Sequence, residues 1–309
     1  MDTPFKQELI KKLQEKSLSE NSIKLYVRNL EILNNNQPLK NLNFLKKVEE
    51  IIEKLSLKKP NTVRIYLISI SVSLQVTKGD NKQMNKLYEM YHKLMMDKAL
   101  EIKENNTKEV PEEKKESFIT WKEVGEKHAE LKDKVSKFGL GINNHQYKTL
   151  LDYVILSLYY LVPPRRNRDY ALAYLVENCG DHTNDIKQNF VCVNDKKFIF
   201  NNFKTSRKEG QVTLPIPDDL MEVIRLYMRY HPCIRNMQVD PQVDRESNKK
   251  KKSSLKVQNR PQLYCPFLVD YEGNPFVKNN DMTRILNRIF DKKIGSSMLR
   301  SIYLTDKYG

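Results

Sequence analysis

From about Phe5 to Glu104 apolar residues recur every three or four positions, Gly is almost absent and Pro falls between the periodic stretches, which predicts an all-helical segment. One helix carries Ile23, Tyr26, Val27, Leu30 and Leu33 on a single face, with Ser17 and Glu20 at capping-box spacing ahead of it. A second follows Pro60 and presents Val63, Tyr66, Leu67, Ile70 and Leu74 on one stripe. The two starts echo each other, NSIKLY at 21–26 against NTVRIY at 61–66, and each places a cation, Lys24 or Arg64, in the first turn. Periodicity then stops at Asn105–Glu116, a charged stretch with one Pro, which is expected to link a helical domain over 1–104 to a second domain over 117–309.

The second domain opens on Thr120 and Glu123 in capping-box spacing, followed by an apolar helix over about 147–161 that Pro163-Pro164 ends. A short helix is predicted from Asn167 through Val176. The period then changes from helical to alternating: FVCV, KKFIF and QVTLPI read as three short strands, with turns at Asn194-Asp195 and near Lys208-Glu209-Gly210. Helices resume at 218–230 and 280–290, and a basic insertion with KKKK lies between them, near 239–262. The fold class expected is mainly α with a small antiparallel sheet: a helical domain followed by a mixed α/β domain.

Charge narrows the partner. The 309 residues hold 54 Lys and Arg against 39 Asp and Glu, a formal +15, and such a surplus points to a polyanion, nucleic acid before a membrane surface. The longest nearly apolar run, 151–162, is too short to span a bilayer, so no membrane partner is expected. The amino terminus lacks an apolar signal core, and Cys179, Cys192, Cys233 and Cys265 are scattered without a C-x-x-C pair. These features predict an intracellular, non-secreted protein without a zinc ribbon or a disulfide framework, located wherever its nucleic-acid partner is, in the nucleus or cytoplasm of a host cell. His145, His182 and His231 show no metal-ligand spacing.

Three basic elements stand where an anion site is easily built: PPRRNRDY at a helix start, NNFKTSRKEG in a hairpin, and SSMLRSIYL on a late helix. Arg grips a phosphate bidentately and Lys can give up a proton. Two Arg and one Lys converging on a phosphodiester would stabilise a phosphoryl-transfer transition state and protonate its leaving oxygen, with neither metal nor other cofactor. Each element also has an ordinary reading. Arg166 fits a surface pair with Asp169, Lys204 fits a solvated turn, and Arg300, on an otherwise apolar stretch, fits a buried pair with a carboxylate. The echo that carries Lys24 and Arg64 is either chance similarity of two capped helices or a pair of helix ends facing DNA phosphates.

The order of these elements and their flanking residues resembles the tyrosine recombinases, the integrase-type enzymes that share a fold with type IB topoisomerases. Arg166-x-x-Asp169 matches the R-x-x-E/D pattern of that family, with Arg165 the alternate for the first position. Lys204 sits in the setting of the family's hairpin Lys, and Leu299-Arg300 matches part of its H-x-L-R-H box. PPRR followed by DY is closer to divergent recombinase-like genes of eukaryotic mobile elements and large DNA viruses than to bacterial integrases. The resemblance implies a helical core-binding domain of four helices and a catalytic domain that together clamp duplex DNA and self-associate on it. It also implies strand breakage and rejoining through a 3′-phosphotyrosine, with Arg166, Lys204 and Arg300 catalytic and Lys24, Arg64, Arg165 and Ser297 on DNA. Ser297 and Ser301 depart from the family's His positions, and only nine residues follow Arg300, so the nucleophilic Tyr is expected to be missing and the catalytic domain incomplete at its carboxy end. A type IB topoisomerase and a non-catalytic DNA-binding derivative are the alternatives.

Overall fold

Thr3 accepts a hydrogen bond from the Lys6 N–H at 3.2 Å and Pro4 supplies the preset φ of a first helical residue, so helix α1 runs Pro4–Glu15. The computed structural model describes residues 3–16, 18–107, 119–238, 263–278 and 280–309. Within these bounds the chain is mainly helical and divides into two compact units, Met1–Glu112 and Glu113–Gly309, each with its own apolar core. No helix of the described residues is long and apolar enough to cross a membrane. The linker expected at 105–116 lies outside the described residues from 108 onward, as does the whole basic insertion at 239–262.

Among its described residues the first unit holds five α-helices where four were expected: α1, α2 (Glu20–Leu33), α3 (Val48–Ser56), α4 (Pro60–Thr77) and α5 (Lys82–Thr107). The cap of α2 is Ser19, whose hydroxyl accepts from the Ser22 N–H at 3.2 Å. The expected Ser17–Glu20 box is therefore wrong: Glu20 is the first helical residue, and Ser17 is outside the described residues. Helix α4 packs against the other four and buries residues around most of its circumference, including Ser69, Ser71 and Ser73, whose small side chains let neighbours approach closely. Asn29 of α2 is buried and donates to the Ser69 hydroxyl at 2.9 Å, which donates in turn to the Ile65 carbonyl, so a buried polar pair fixes α2 on α4.

The second unit begins with α6 (Trp121–Ser136), where the expected Thr120–Glu123 capping box is formed in both directions. Helix α7 (Asn144–Tyr160) carries a second box, Asn143 with Gln146, and buries ten residues at the centre of the unit. The helix expected from Asn167 to Val176 is much shorter. Helix α8 stops at Ala171 and Ala173–Val176 becomes strand β1, because this segment is hydrogen-bonded on both edges in the middle of a sheet, which overrides its local helical pattern. The sheet continues with β2 (Asn189–Cys192), β3 (Lys197–Phe200), β4 (Val212–Pro215) and β5 (Tyr264–Pro266) in the order β4-β3-β2-β1-β5. It is mixed rather than antiparallel: β1 and β2 pair in parallel across a crossover, and the other three pairs are antiparallel. The turn expected at 208–210 is a one-turn helix, α9 (Ser206–Glu209), closed by Gly210 at φ +73°. Helices α10 (Asp218–Tyr230), α11 (Pro232–Gln238), α12 (Asp281–Phe290) and α13 (Ser296–Tyr308) complete the unit.

Parallel pairing brings the ends of β1 and β2 together, and there Cys179 and Cys192 form a disulfide with Cα atoms 5.5 Å apart. This corrects the expectation of unpaired cysteines, since only the crossover makes a spacing of 13 residues a spatial contact.

Candidate nucleic-acid interface

The amino ends of α8 and α13 meet at one phenol. Tyr159, buried near the end of α7, donates to the Asn167 side-chain oxygen at 2.5 Å, and Ser296, the first residue of α13, lies close enough to act electrostatically on its hydroxyl. Burial pushes its hydroxyl well above the usual phenol range, so it stays protonated as a donor. Asn167 in turn donates to Thr283 on α12 at 2.9 Å. Arg166 is the N-cap of α8, directly before Asn167, and Arg300 lies one turn after Ser296 on α13.

Both arginines are half-buried, and among the described residues neither side chain forms a hydrogen bond or an ion pair. The carboxylate partner that would make Arg300 structural is absent from the described residues. Arg165 has the opposite fate. Its Nε donates to Asp169 at 3.0 Å and its guanidinium lies 4.0 Å above the Phe200 ring and 5.2 Å from Phe203. Asp169 is buried and also accepts from the Arg166 N–H; burial raises its pKa against the opposing pull of Arg165. Two adjacent arginines, alike in sequence, thus divide the work: Arg165 pairs with Asp169 and braces α8 against the sheet, whereas the Arg166 side chain acts on Asp169 only through space and forms no ion pair.

Lys204 follows Phe203 in the turn after β3; it is exposed and makes no hydrogen bond or ion pair among the described residues. The contact of Phe203 with Arg165 puts the Lys204 turn beside the start of α8. Through Phe203 and Ser296, the segments bearing Arg166, Lys204 and Arg300 come to one region of the second unit. Ser297 is the second residue of α13, adjacent to the Tyr159 contact, with no side-chain hydrogen bond among the described residues.

No family model, curated protein or solved structure matches this chain. The geometry therefore carries the functional reading.

In the first unit the sequence echo does not produce equal sites. Lys24 is 3.9 Å from Glu20, an acid in the first turn of α2, so its charge is partly offset. Helix α4 has no acid in its first turn, is preceded by Lys58 and Lys59, and carries exposed Arg64 without an ion pair among the described residues. The start of α4 is the more electropositive of the two.

One group of metal-ligating side chains assembles among the described residues, Cys179, Cys192 and Asp195. Its sulfurs are bonded to each other and the Asp195 carboxylate accepts the Cys179 N–H, so these donors are already engaged. Tyr303 and Tyr308 continue on α13 beyond Arg300; the Tyr303 ring packs edge-on against Trp121 at 5.3 Å and its hydroxyl accepts from Lys307 at 3.0 Å. Sequence reading passed over Asn189. It is fully buried at the start of β2, and its carboxamide makes four hydrogen bonds to backbone groups of other segments. No side-chain motif signals such a residue, because its partners are peptides.

Proposed function

We propose that this protein binds duplex DNA and belongs with the strand-breaking and rejoining proteins of the tyrosine recombinase type. Arg166 and Arg300 hold the non-bridging oxygens of one phosphodiester, and Lys204 protonates the 5′-oxygen as it leaves. The observation that carries the reading is the approach of the α8 and α13 amino ends to Tyr159, each beside a half-buried arginine whose side chain makes no hydrogen bond or ion pair among the described residues. A guanidinium partly withdrawn from water gains from an anion, and a phosphate supplies two oxygens in the geometry it prefers. The net charge of +15 supports a polyanion as partner. Self-association on DNA belongs to the same proposal.

The nucleophile of such a reaction must approach in line with the leaving oxygen, from the side opposite it. Tyr303 and Tyr308 share a helix with Arg300, and Tyr303 is packed on Trp121. That arrangement favours, as a second reading, DNA binding without cleavage by the tyrosines of α13.

The test is duplex affinity as a function of salt for the full chain and for Arg166→Ala, Lys204→Ala and Arg300→Ala. The log–log salt slope of the parent should be steep, and each variant should lower it by about one, one phosphate contact being lost. A flat parent response, or three variants with the parental slope and affinity, would remove the proposal.

A further inference from the structure

A carboxamide at the start of a central strand is costly to bury unless every hydrogen-bonding group finds a partner. The other residues of β2 are Phe190, Val191 and Cys192, all buried, so the core has no need of a polar group there. Asn189 nevertheless uses its full capacity. Its amide donates to the Asp169 carbonyl at 2.8 Å and to the Asn202 carbonyl at 3.0 Å; its oxygen accepts from the Asn201 N–H at 2.9 Å and the Asn202 N–H at 2.7 Å.

The partners lie in the two segments that matter for the proposed site. Asp169 is three residues after Arg166 and donates its own N–H to the Arg166 carbonyl at 3.0 Å. Asn202 is two residues before Lys204. A continuous run of hydrogen bonds therefore connects the Arg166 peptide, through Asp169 and the Asn189 carboxamide, to the turn that carries Lys204. Other bonds hold that turn to a different place. Asn201 donates to the Thr183 and Asp185 carbonyls, Asn202 donates to the Lys187 carbonyl, and Gln211 donates to Asn201. All of these fasten the turn to the β1–β2 crossover or to the start of β4; among the described side-chain hydrogen bonds made by this turn, only those to Asn189 continue to α8.

We infer that Asn189 is a positioning residue, which fixes the Lys204 turn relative to Arg166 so that both address the same phosphate. This rests on the proposed phosphodiester site and adds the element that sets its spacing. Asn suits the role by its chemistry: two donors and two acceptor sites on a short, planar group. Asp in its place keeps the acceptors for Asn201 and Asn202 and loses both donors, so it cuts the link to α8 while leaving the turn in the protein.

The experiment is a double-variant cycle on duplex affinity, using the full chain and a short mixed-sequence duplex. In the parent background, Arg166→Ala and Lys204→Ala should be non-additive by at least about threefold, as for groups that share one ligand. In an Asn189→Asp background the same two substitutions should become additive. Lowering the pH protonates the introduced carboxyl, returns one donor and should restore part of the coupling, a response that mere loss of stability does not give. Additivity in the parent would overturn the shared-phosphate site itself. Coupling in the parent that survives unchanged in Asn189→Asp would overturn the positioning role alone. Should Asn189→Asp not fold, as judged by thermal melting, Asn189→Ser removes the link without burying a charge, and the same outcomes decide.

Discussion

Replacing Arg165 by Met would leave the Asp169 carboxylate buried, 2% exposed, without its ion-pair partner. Loss of one partner from a buried pair costs about 3–5 kcal/mol, and loss of the guanidinium from the Phe200 ring adds about 0.5–2 kcal/mol. A deficit near 4 kcal/mol lowers the melting temperature of a unit of this size by roughly 8–16 °C. The pH dependence gives a sharper check. Asp169 already has a folded pKa above its ordinary 3.8, and without Arg165 it rises further. A group whose pKa is higher in the fold than in the unfolded chain favours the fold at low pH, and that preference disappears as pH rises through the folded value. The deficit of Arg165→Met should therefore be largest at pH 7 and shrink on acidification, and the added Asp169→Asn should remove most of it at pH 7. Calorimetry of the parent, the single and the double variant at pH 7 and pH 5 measures this. A loss under about 1 kcal/mol, below the range for a broken buried pair, or a deficit that ignores pH, would refute the bracing role.

Reduction of the Cys179–Cys192 bridge, which closes a loop with a sequence separation of 13, should cost about 3 kcal/mol, seen as a lower denaturation midpoint in dithiothreitol that Cys179→Ser reproduces. His128 and His231 are buried with pKa values lowered to about 4, so each contributes stability above pH 6.5 that is lost as pH falls towards 4. The loss is about 3 kcal/mol for His231 and smaller for the less deeply buried His128; acid titration of His231→Gln should be shallower than that of the parent, and identical curves would contradict it. Tyr159→Phe deletes the contact between α8 and α13 without changing charge and should weaken duplex binding several-fold; unchanged affinity would detach Tyr159 from the site. On a suicide substrate the 309-residue chain should bind without forming a covalent adduct, and an adduct abolished by Tyr303→Phe or Tyr308→Phe would place the nucleophile on α13.

Elements whose stabilisation is local were legible in the sequence. The stripes of α2, α4 and α7, the Thr120–Glu123 box, the Pro60 start and the places of β2, β3 and β4 all follow from residue order, although only β4 alternates in burial. What eluded the sequence depends on partners distant along the chain. Ala173–Val176 reads as a continuing helix until β2 and β5 flank it, and parallel pairing leaves no mark on a four-residue pattern. The same pairing creates the cystine. At the candidate site, residue types identified the cations but not their states: of Arg165 and Arg166, only the Arg165 side chain pairs with Asp169 and stacks on Phe200. Asn189 was invisible because it binds peptides.

The chain has a single tryptophan, Trp121, and it touches both Tyr160 on α7 and Tyr303 on α13. Its emission is thus a label-free optical signal belonging to one unit: the first unit contains no indole and is silent under selective excitation. Energy transfer from Tyr303 depends on α13, the helix that also carries Arg300, staying against α6. Any ligand that draws α13 away will be visible in the fluorescence of the unmodified protein, with the tyrosine-excited component changing first.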